Sequence, residues 1–186
     1  MRIISGSARG RKLFAPAGED TRPTADRIRE SLFNILGQRV CDARVLDLFG
    51  GTGALALEAL SRGAAHAVIV DSAQEAVRVI QRNAQNVLKE GFSQRVRILR
   101  TDYRSAIGSL GGSSFELVFL DPPYRMVEAY GDALTRLRAV GALAEGCLIL
   151  AERSRERQIA LPEGFEIFDT RSYGVTSVEF VREAAR

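Results

Sequence analysis

The chain has 186 residues, 46% of them hydrophobic, with a formal net charge of +3 and a single histidine. That length and apolar fraction suit one domain with a sizeable core, and the mild positive charge is compatible with an anionic partner without requiring one. One histidine, His66, excludes histidine-based triads and two-histidine metal sites, so no metal is expected, and no apolar run is long enough to span a bilayer.

Residues 1–14 hold two short apolar pieces, Ile3-Ile4 and Leu13-Phe14, around a turn rich in glycine and serine, which predicts a β-hairpin. Arg2, Arg9, Arg11 and Lys12 all precede the first carboxylate, Glu19. The hairpin is therefore either a solvated basic surface or an arm that contacts phosphates. A linker with Pro16, Gly18 and Pro23 follows, and a helix is predicted over 24–36. Thr24 is its expected N-cap, Asp26 suits the positive end of its dipole, and Gly37 stops it. Ile28, Leu32, Phe33, Ile35 and Leu36 form its apolar stripe, with Arg27 and Arg29 off that stripe.

The stretch from Val45 to Leu60 organises the rest. Val45 to Phe49 reads as a buried parallel strand. Gly50, Gly51 and Gly53 let the backbone turn sharply and let a ligand approach it, and Ala54 to Leu60 is helix-forming. Such a strand–glycine–helix unit sets free N–H groups beside an open crevice. Asp47 is the odd residue, a carboxylate in an apolar strand that needs loop N–H groups or a cationic ligand. Alone, the stretch is explained equally well by a tight turn that Asp47 caps.

Beyond it, Ser61-Arg62-Gly63 ends the helix, 67–70 forms a strand opened by His66, and Asp71 follows. A long helix spans 73–89, with Val77, Ile80, Ala84 and Leu88 inward and Gly91 as its stop. Strands are predicted over 96–99, 115–120 and 147–151, and short helices over 103–110 and 128–140. Arg153, Arg155 and Arg157 make a charged loop or helix start, and 165–171 with 175–181 close the chain as a hairpin around Tyr173-Gly174. Cys41 and Cys147 match no zinc or redox spacing and read as buried thiols of a reducing compartment. No signal-peptide pattern opens the chain, so a cytoplasmic protein is expected.

Strands alternating with helices predict a doubly wound α/β sheet. Asp47, Asp71, Asp102 and Asp121 each end or follow an apolar run, so four carboxylates converge on one edge of such a sheet. Without cations their burial together is costly. A polyhydroxylated or cationic ligand resolves that cost.

Gly51-Thr52-Gly53-Ala54-Leu55-Ala56 fits a relaxed dinucleotide pattern, with Asp71 at the distance of a ribose contact. However, Asp47 crowds a pyrophosphate over this turn, and a dehydrogenase gives Asp121-Pro122-Pro123-Tyr124 no role. S-adenosylmethionine fits better, since it carries an ammonium and a sulfonium and no phosphate. Asp47 then faces its amino-acid end through the turn formed by Phe49, Gly50, Gly51, Thr52 and Gly53. Asp71 accepts the ribose hydroxyls, and Asp102 accepts the adenine amine with Ser72 or Tyr103 packed nearby.

Asp121-Pro122-Pro123-Tyr124 is the most informative tetrapeptide. Two prolines fix the backbone and remove two donors, leaving the Asp121 carboxylate and the Pro122 carbonyl as acceptors. Tyr124 offers a ring that stacks on a planar substrate. Two acceptors holding both hydrogens of a nucleobase amine aim its lone pair out of plane, at a methyl group. Transfer is then direct displacement driven by positioning, and it needs no strong base.

With these residues in view, the chain resembles the class I S-adenosylmethionine-dependent methyltransferases that act on amines, and more closely the bacterial 16S ribosomal RNA guanine-N2 methyltransferase family, RsmD. The resemblance runs nearly end to end. It is carried by Arg2-Ile3-Ile4-Ser5-Gly6, Arg9-Gly10-Arg11-Lys12-Leu13 and the run from Arg22-Pro23-Thr24 to Asn34. The glycine turn, Ser61-Arg62-Gly63-Ala64, Asp121 to Tyr124 and Tyr173-Gly174 complete it. It implies a seven-stranded, mostly parallel sheet with one antiparallel strand and helices on both faces. It also implies a basic hairpin arm over 1–20 beside a catalytic domain over 21–186. Asp121, Pro122, Pro123 and Tyr124 would be catalytic. Arg2, Arg9, Arg11, Lys12 and Arg22 would bind RNA, and the partner would be 16S ribosomal RNA or the small-subunit particle, met by a monomer. Two departures stand out. Asp71 replaces the family's usual glutamate, and Gly50 replaces a frequent alanine, which would loosen the turn. A DNA or other RNA amino-methyltransferase acting on adenine N6 or cytosine N4 shares the fold and the tetrapeptide, although 186 residues leave no room for a target-recognition domain. A nonenzymatic RNA-binding module built on the basic arm leaves Asp47, Asp102 and Asp121 unexplained.

Overall fold

The computed structural model describes residues 1–15 and 23–185, the side chains of 23–25 excepted. The linker, Arg22 and the Thr24 cap lie outside that description. Helix α1 (Pro23–Leu36) leads into strand β1 (Arg44–Asp47) and helix α2 (Ala54–Ser61). Strand β2 (His66–Asp71), helix α3 (Gln74–Leu88), the short α4 (Phe92–Arg95) and strand β3 (Val96–Arg100) follow. Then come α5 (Tyr103–Gly108), β4 (Phe115–Leu120), α6 (Ala129–Ala139), β5 (Leu143–Ser154), β6 (Phe165–Tyr173) and β7 (Thr176–Glu183). The seven strands form one sheet in the order β3-β2-β1-β4-β5-β7-β6. Its first five strands are parallel, and β7 runs antiparallel to both β5 and β6.

Strand alternation divides the core into two layers. Val45, Ile69, Leu117, Phe119, Leu148 and Leu150 pack toward α1, α2 and α3. Leu46, Val68, Val70, Val118, Leu120 and Ile149 pack toward α5 and α6. By the same alternation Asp47 points to the first layer. The crossovers rise from the carboxyl ends of β1 to β4, so one edge of the sheet collects the ends of the parallel strands.

Several elements depart from the sequence reading. Helix α3 stops at Leu88, before Gly91, because Lys89 takes a left-handed φ of 50°. The Arg11 guanidinium donates to the carbonyls of Asn86 and Val87 there and so satisfies the helix end from outside. Strand β5 runs on through Arg153, because β7 pairs with it from Ile149 to Ser154 and Glu179 on β7 binds the Arg153 guanidinium. Arg29 is not on a solvent face of α1. It is buried, pairs with Asp26, and donates to the Arg2 carbonyl. Ile35, expected on the stripe, is exposed. Cys147 is buried as expected, but Cys41 is exposed.

The expected hairpin arm takes a minimal form, with Ile3 N–H donating to the Arg11 carbonyl and Leu13 N–H to the Met1 carbonyl. Residues 1–13 make one antiparallel bridge, Arg2 with Lys12, and no strand. They form a clasp that lies on the first core layer and does not project. Ile3, Ala8 and Leu13 are almost fully buried in that layer. Glu58 on α2, itself wholly buried, accepts the N–H groups of Ile4 at 2.8 Å and Ser5 at 3.0 Å. Its carboxylate also pairs with Arg62 at 2.7 Å and Arg29 at 3.6 Å. Ser61 adds a hydroxyl that accepts from Ala8 N–H and donates to the Ser5 carbonyl. A short apolar segment thus gains a place in the core because a buried carboxylate satisfies its backbone.

Candidate active site

The strand–glycine–helix turn forms as the sequence predicts. Gly51 and Gly53 adopt left-handed φ values of 54° and 78°. Gly50 N–H donates to the Val70 carbonyl at 2.8 Å, which ties the turn to β2. Glycine at position 50 does not loosen it. A Cβ there would lie 2.4 Å from Ile69 Cγ2 and 3.1 Å from Ile80 Cδ1, so Gly50 is the residue that lets the turn seat this closely against β2 and α3.

A cleft of about 450 Å³ opens over the carboxyl ends of β1, β2, β3, β4 and β5. Phe49, Gly51, Asp71, Ser72, Asp102, Tyr103 and the whole of Asp121-Pro122-Pro123-Tyr124 line it. Ten sequence-predicted residues thus share one wall system. Asp47, Gly50, Thr52 and Gly53 do not reach its surface. Asp47 lies beneath the floor, only 2% exposed, and burial pushes its carboxyl up to about 7 against the pull of the Phe49 and Ala56 N–H groups. Thr52 faces the clasp, where its carbonyl accepts from Asn83 at 2.9 Å.

The two acids nearest the turn are ordered by backbone donors. Asp71 accepts Gly51 N–H at 2.9 Å and Ala73 N–H at 2.8 Å, so it links the glycine turn to the start of α3. Asp102 caps α5 by accepting from Arg104 N–H, Ser105 N–H and the Ser105 hydroxyl. Those bonds hold its carboxyl below the usual range. Phe49 and Tyr103 stack at 5.4 Å between ring centroids, and Tyr103 anchors its hydroxyl on Asp132 at 2.7 Å. Together they form an aromatic wall of the cleft.

The far end of the cleft is different. Pro122 is buried and Tyr124 is 60% exposed. The Pro123 carbonyl accepts Met126 N–H at 2.8 Å, and the Tyr124 carbonyl accepts from Arg157. Among the described residues no donor engages the Pro122 carbonyl or the Asp121 carboxylate. Asp121 is exposed along the cleft, and the neighbouring walls partly desolvate its carboxylate. Its carboxyl is therefore raised well above the usual range, first by that desolvation and then by the charges of Glu152 and Asp47.

Glu152 is the residue the sequence reading missed. It lines the cleft beside Asp121, and burial raises its carboxyl as well. Leu48, Thr101 and Met126 complete the walls. The signal was available in the alternation of Leu148, Leu150 and then Glu152 along β5, which puts an acid on the same face and edge as Asp121.

The basic residues of the N-terminus do not join the cleft. Arg2 and Arg9 line a separate surface cavity with Asp26, Arg27 and Glu30. Arg11 is engaged at the end of α3, Lys12 is exposed, and Arg22 lies outside the described residues.

A sheet of this order with a single antiparallel strand, a glycine turn after β1 and acids at successive strand ends defines the class I S-adenosylmethionine-dependent methyltransferases. The residues fit that cofactor. Anionic and aromatic groups line the end next to the turn, and among the described residues no lysine or arginine lines the cleft to suit a phosphate. The family model described as "Conserved hypothetical protein 95" matches residues 1–182. The YlbH protein of Bacillus subtilis is 37% identical over 188 residues, covering 98% of this chain and 99% of its own. Ribosomal RNA small subunit methyltransferase D of Escherichia coli (strain K12) is 39% identical over 158 residues, 84% of this chain and 76% of that protein. A solved structure of yhhF from Escherichia coli has 31% identity and superposes with a TM-score of 0.84 over 100% of this chain and 99% of that one. The chain belongs to this family, that of the RsmD and YlbH methyltransferases.

Proposed function

We propose that this protein transfers a methyl group from S-adenosylmethionine to the N2 amine of a guanine in the 16S ribosomal RNA of the small subunit. The observation that carries the reading is the cleft itself, which joins Asp71 and Asp102 at one end to two unengaged acceptors, the Asp121 carboxylate and the Pro122 carbonyl, at the other. The relatives named as ribosomal RNA small subunit methyltransferase D support the choice of RNA. S-adenosylmethionine, when bound, supplies an electrophilic methyl on a sulfonium.

Asp71 then holds the ribose hydroxyls and Asp102 the adenine amine, with Phe49, Gly51, Ser72 and Tyr103 as walls. Asp47 acts from beneath the turn, where a cationic amino group above it would favour its ionised form. Gly50, Thr52 and Gly53 shape the turn without contacting the ligand. Asp121 and the Pro122 carbonyl each accept one hydrogen of the target amine, Pro123 fixes the loop, and Tyr124 stacks on the flipped base. The nitrogen becomes acidic only as it is methylated, so its proton leaves through Asp121 after the bond has formed. Exposed Arg2, Arg9 and Lys12 contact RNA phosphates.

The test is to map small-subunit RNA methylation in a deletion strain and restore it with purified protein and S-adenosylmethionine. Loss and recovery of one N2-methylguanine supports the reading. An unchanged methylation map, or transfer to duplex DNA in preference to RNA, rejects it.

A further inference from the structure

We propose that Glu152 reads the target base: its carboxylate accepts the N1–H of guanine while Asp121 and the Pro122 carbonyl hold the N2 amine. Glu152 would then be the contact that admits guanine and turns away adenine and cytosine. This rests on the function proposed above, and specifies how its site chooses a base.

The sheet dictates the placement. Leu120 pairs with Ala151 across parallel strands β4 and β5, so Asp121 and Glu152 are neighbours one step further on. Their backbones lie about 5 Å apart at that step. Leu117 and Phe119, like Leu148 and Leu150, face the first core layer, and alternation carries Asp121 and Glu152 to that same face. Both line the cleft with Pro122 and Tyr124.

Glu152 also has no structural occupation for its charge. Its backbone carbonyl accepts the Tyr130 hydroxyl, which fixes the strand end. The next residue, Arg153, pairs away from it with Glu179. Among the described residues none donates a hydrogen bond to the Glu152 carboxylate. An acid in walled surroundings without a partner carries a desolvation cost that a ligand with N–H donors would relieve.

Guanine offers the matching pattern. Its N1 and N2 carry three hydrogens side by side, all donors, and two adjacent carboxylates plus one carbonyl supply acceptors for all three. Adenine N1 and cytosine N3 present lone pairs at the corresponding place. A carboxylate facing a lone pair is repulsive, so the same residue that holds guanine rejects the alternatives.

The experiment replaces the guanosine mapped above by 2-aminopurine riboside, in small-subunit RNA assembled by ligation. The analogue keeps the amine that receives the methyl and lacks only the N1–H and the 6-oxo group. Wild-type protein should methylate guanine about 10²-fold faster than the analogue, the scale of one lost hydrogen bond to a charged group. Glu152→Gln should bring that ratio below about tenfold, because its amide donates to the analogue's N1 or accepts from guanine N1–H. Wild-type rates on the two RNAs within about threefold of each other would overturn the assignment, even if the variant failed to fold. So would a Glu152→Gln protein that keeps the wild-type ratio. If the guanosine RNA receives no methyl group at N2, the function itself fails, and the Glu152 assignment with it.

Discussion

Two groups of carboxylates sit in walled surroundings in this protein, and they are treated in opposite ways. Glu58, under the clasp, receives two backbone N–H groups and two guanidinium groups. Asp121 and Glu152, at the cleft, receive none among the described residues and face each other's charge. The first group holds the chain to itself. The second keeps unmet bonding capacity where a ligand can enter, and such perturbed acids in a cleft are the mark of a functional site. Asp47 stands between them, buried like Glu58 but only partly compensated by two N–H groups.

The largest effect should come from breaking the satisfied side. Glu58→Ala leaves the Arg62 guanidinium and the Ile4 and Ser5 N–H groups without their acceptor and takes the nearby counter-charge from buried Arg29, and should destabilise the protein by about 3–5 kcal/mol in urea unfolding. A loss below about 1 kcal/mol would show that the clasp does not depend on this carboxylate.

The intermediate case sharpens the comparison through pH. The Asp47 carboxyl is raised from 3.8 to about 7 in the fold, so between those values the unfolded chain has ionised while the folded one keeps its proton. Asp47 should therefore contribute a fall in the stability of the cofactor-free protein of about 4 kcal/mol as pH rises from about 4 to 7, for a shift of roughly three units, and the raised Asp121 and Glu152 carboxyls add to it in the same direction. Asp47→Asn should lose that part of the pH dependence. Parallel stability–pH curves for the two proteins would remove Asp47 as its source.

On the unsatisfied side the expected change is in rate. Asp121→Ala removes an acceptor the fold does not use, so stability should hold while single-turnover methylation falls roughly 10²–10³-fold. Asp121→Asn, which keeps one acceptor oxygen, should fall less. A wild-type rate in Asp121→Ala would reject Asp121 as the amine's partner.

The smallest effect separates the basic residues into the same two kinds. Neutralising exposed Arg9 and Lys12 should flatten the salt dependence of RNA binding by a slope of about 1.5, with stability unchanged. Neutralising Arg11 should instead lower stability, since it closes the end of α3. An unchanged salt slope for the Arg9 and Lys12 variant would make the clasp surface a bystander.

Much of this was written locally. Strand–glycine–helix spacing, the acids at strand ends and the rigid Asp121-Pro122-Pro123-Tyr124 turn are short-range patterns, because alternation, helix periodicity and proline geometry act within a few residues. They determined the sheet, its edge and most of the cleft wall, and β4 formed over Phe115–Leu120 as read. What only the tertiary structure decided depended on distant partners. Arg29 became a core residue because Glu58 waits there, and Arg11 left the basic surface because α3 ends beside it. Strand β5 extended through Glu152 because β7 lies alongside. A charged side chain carries the same local signature whether it is solvated, buried or poised in a cleft. Its fate is set by the counter-charge or donor that packing brings from elsewhere in the chain, and that pairing has no period in the sequence.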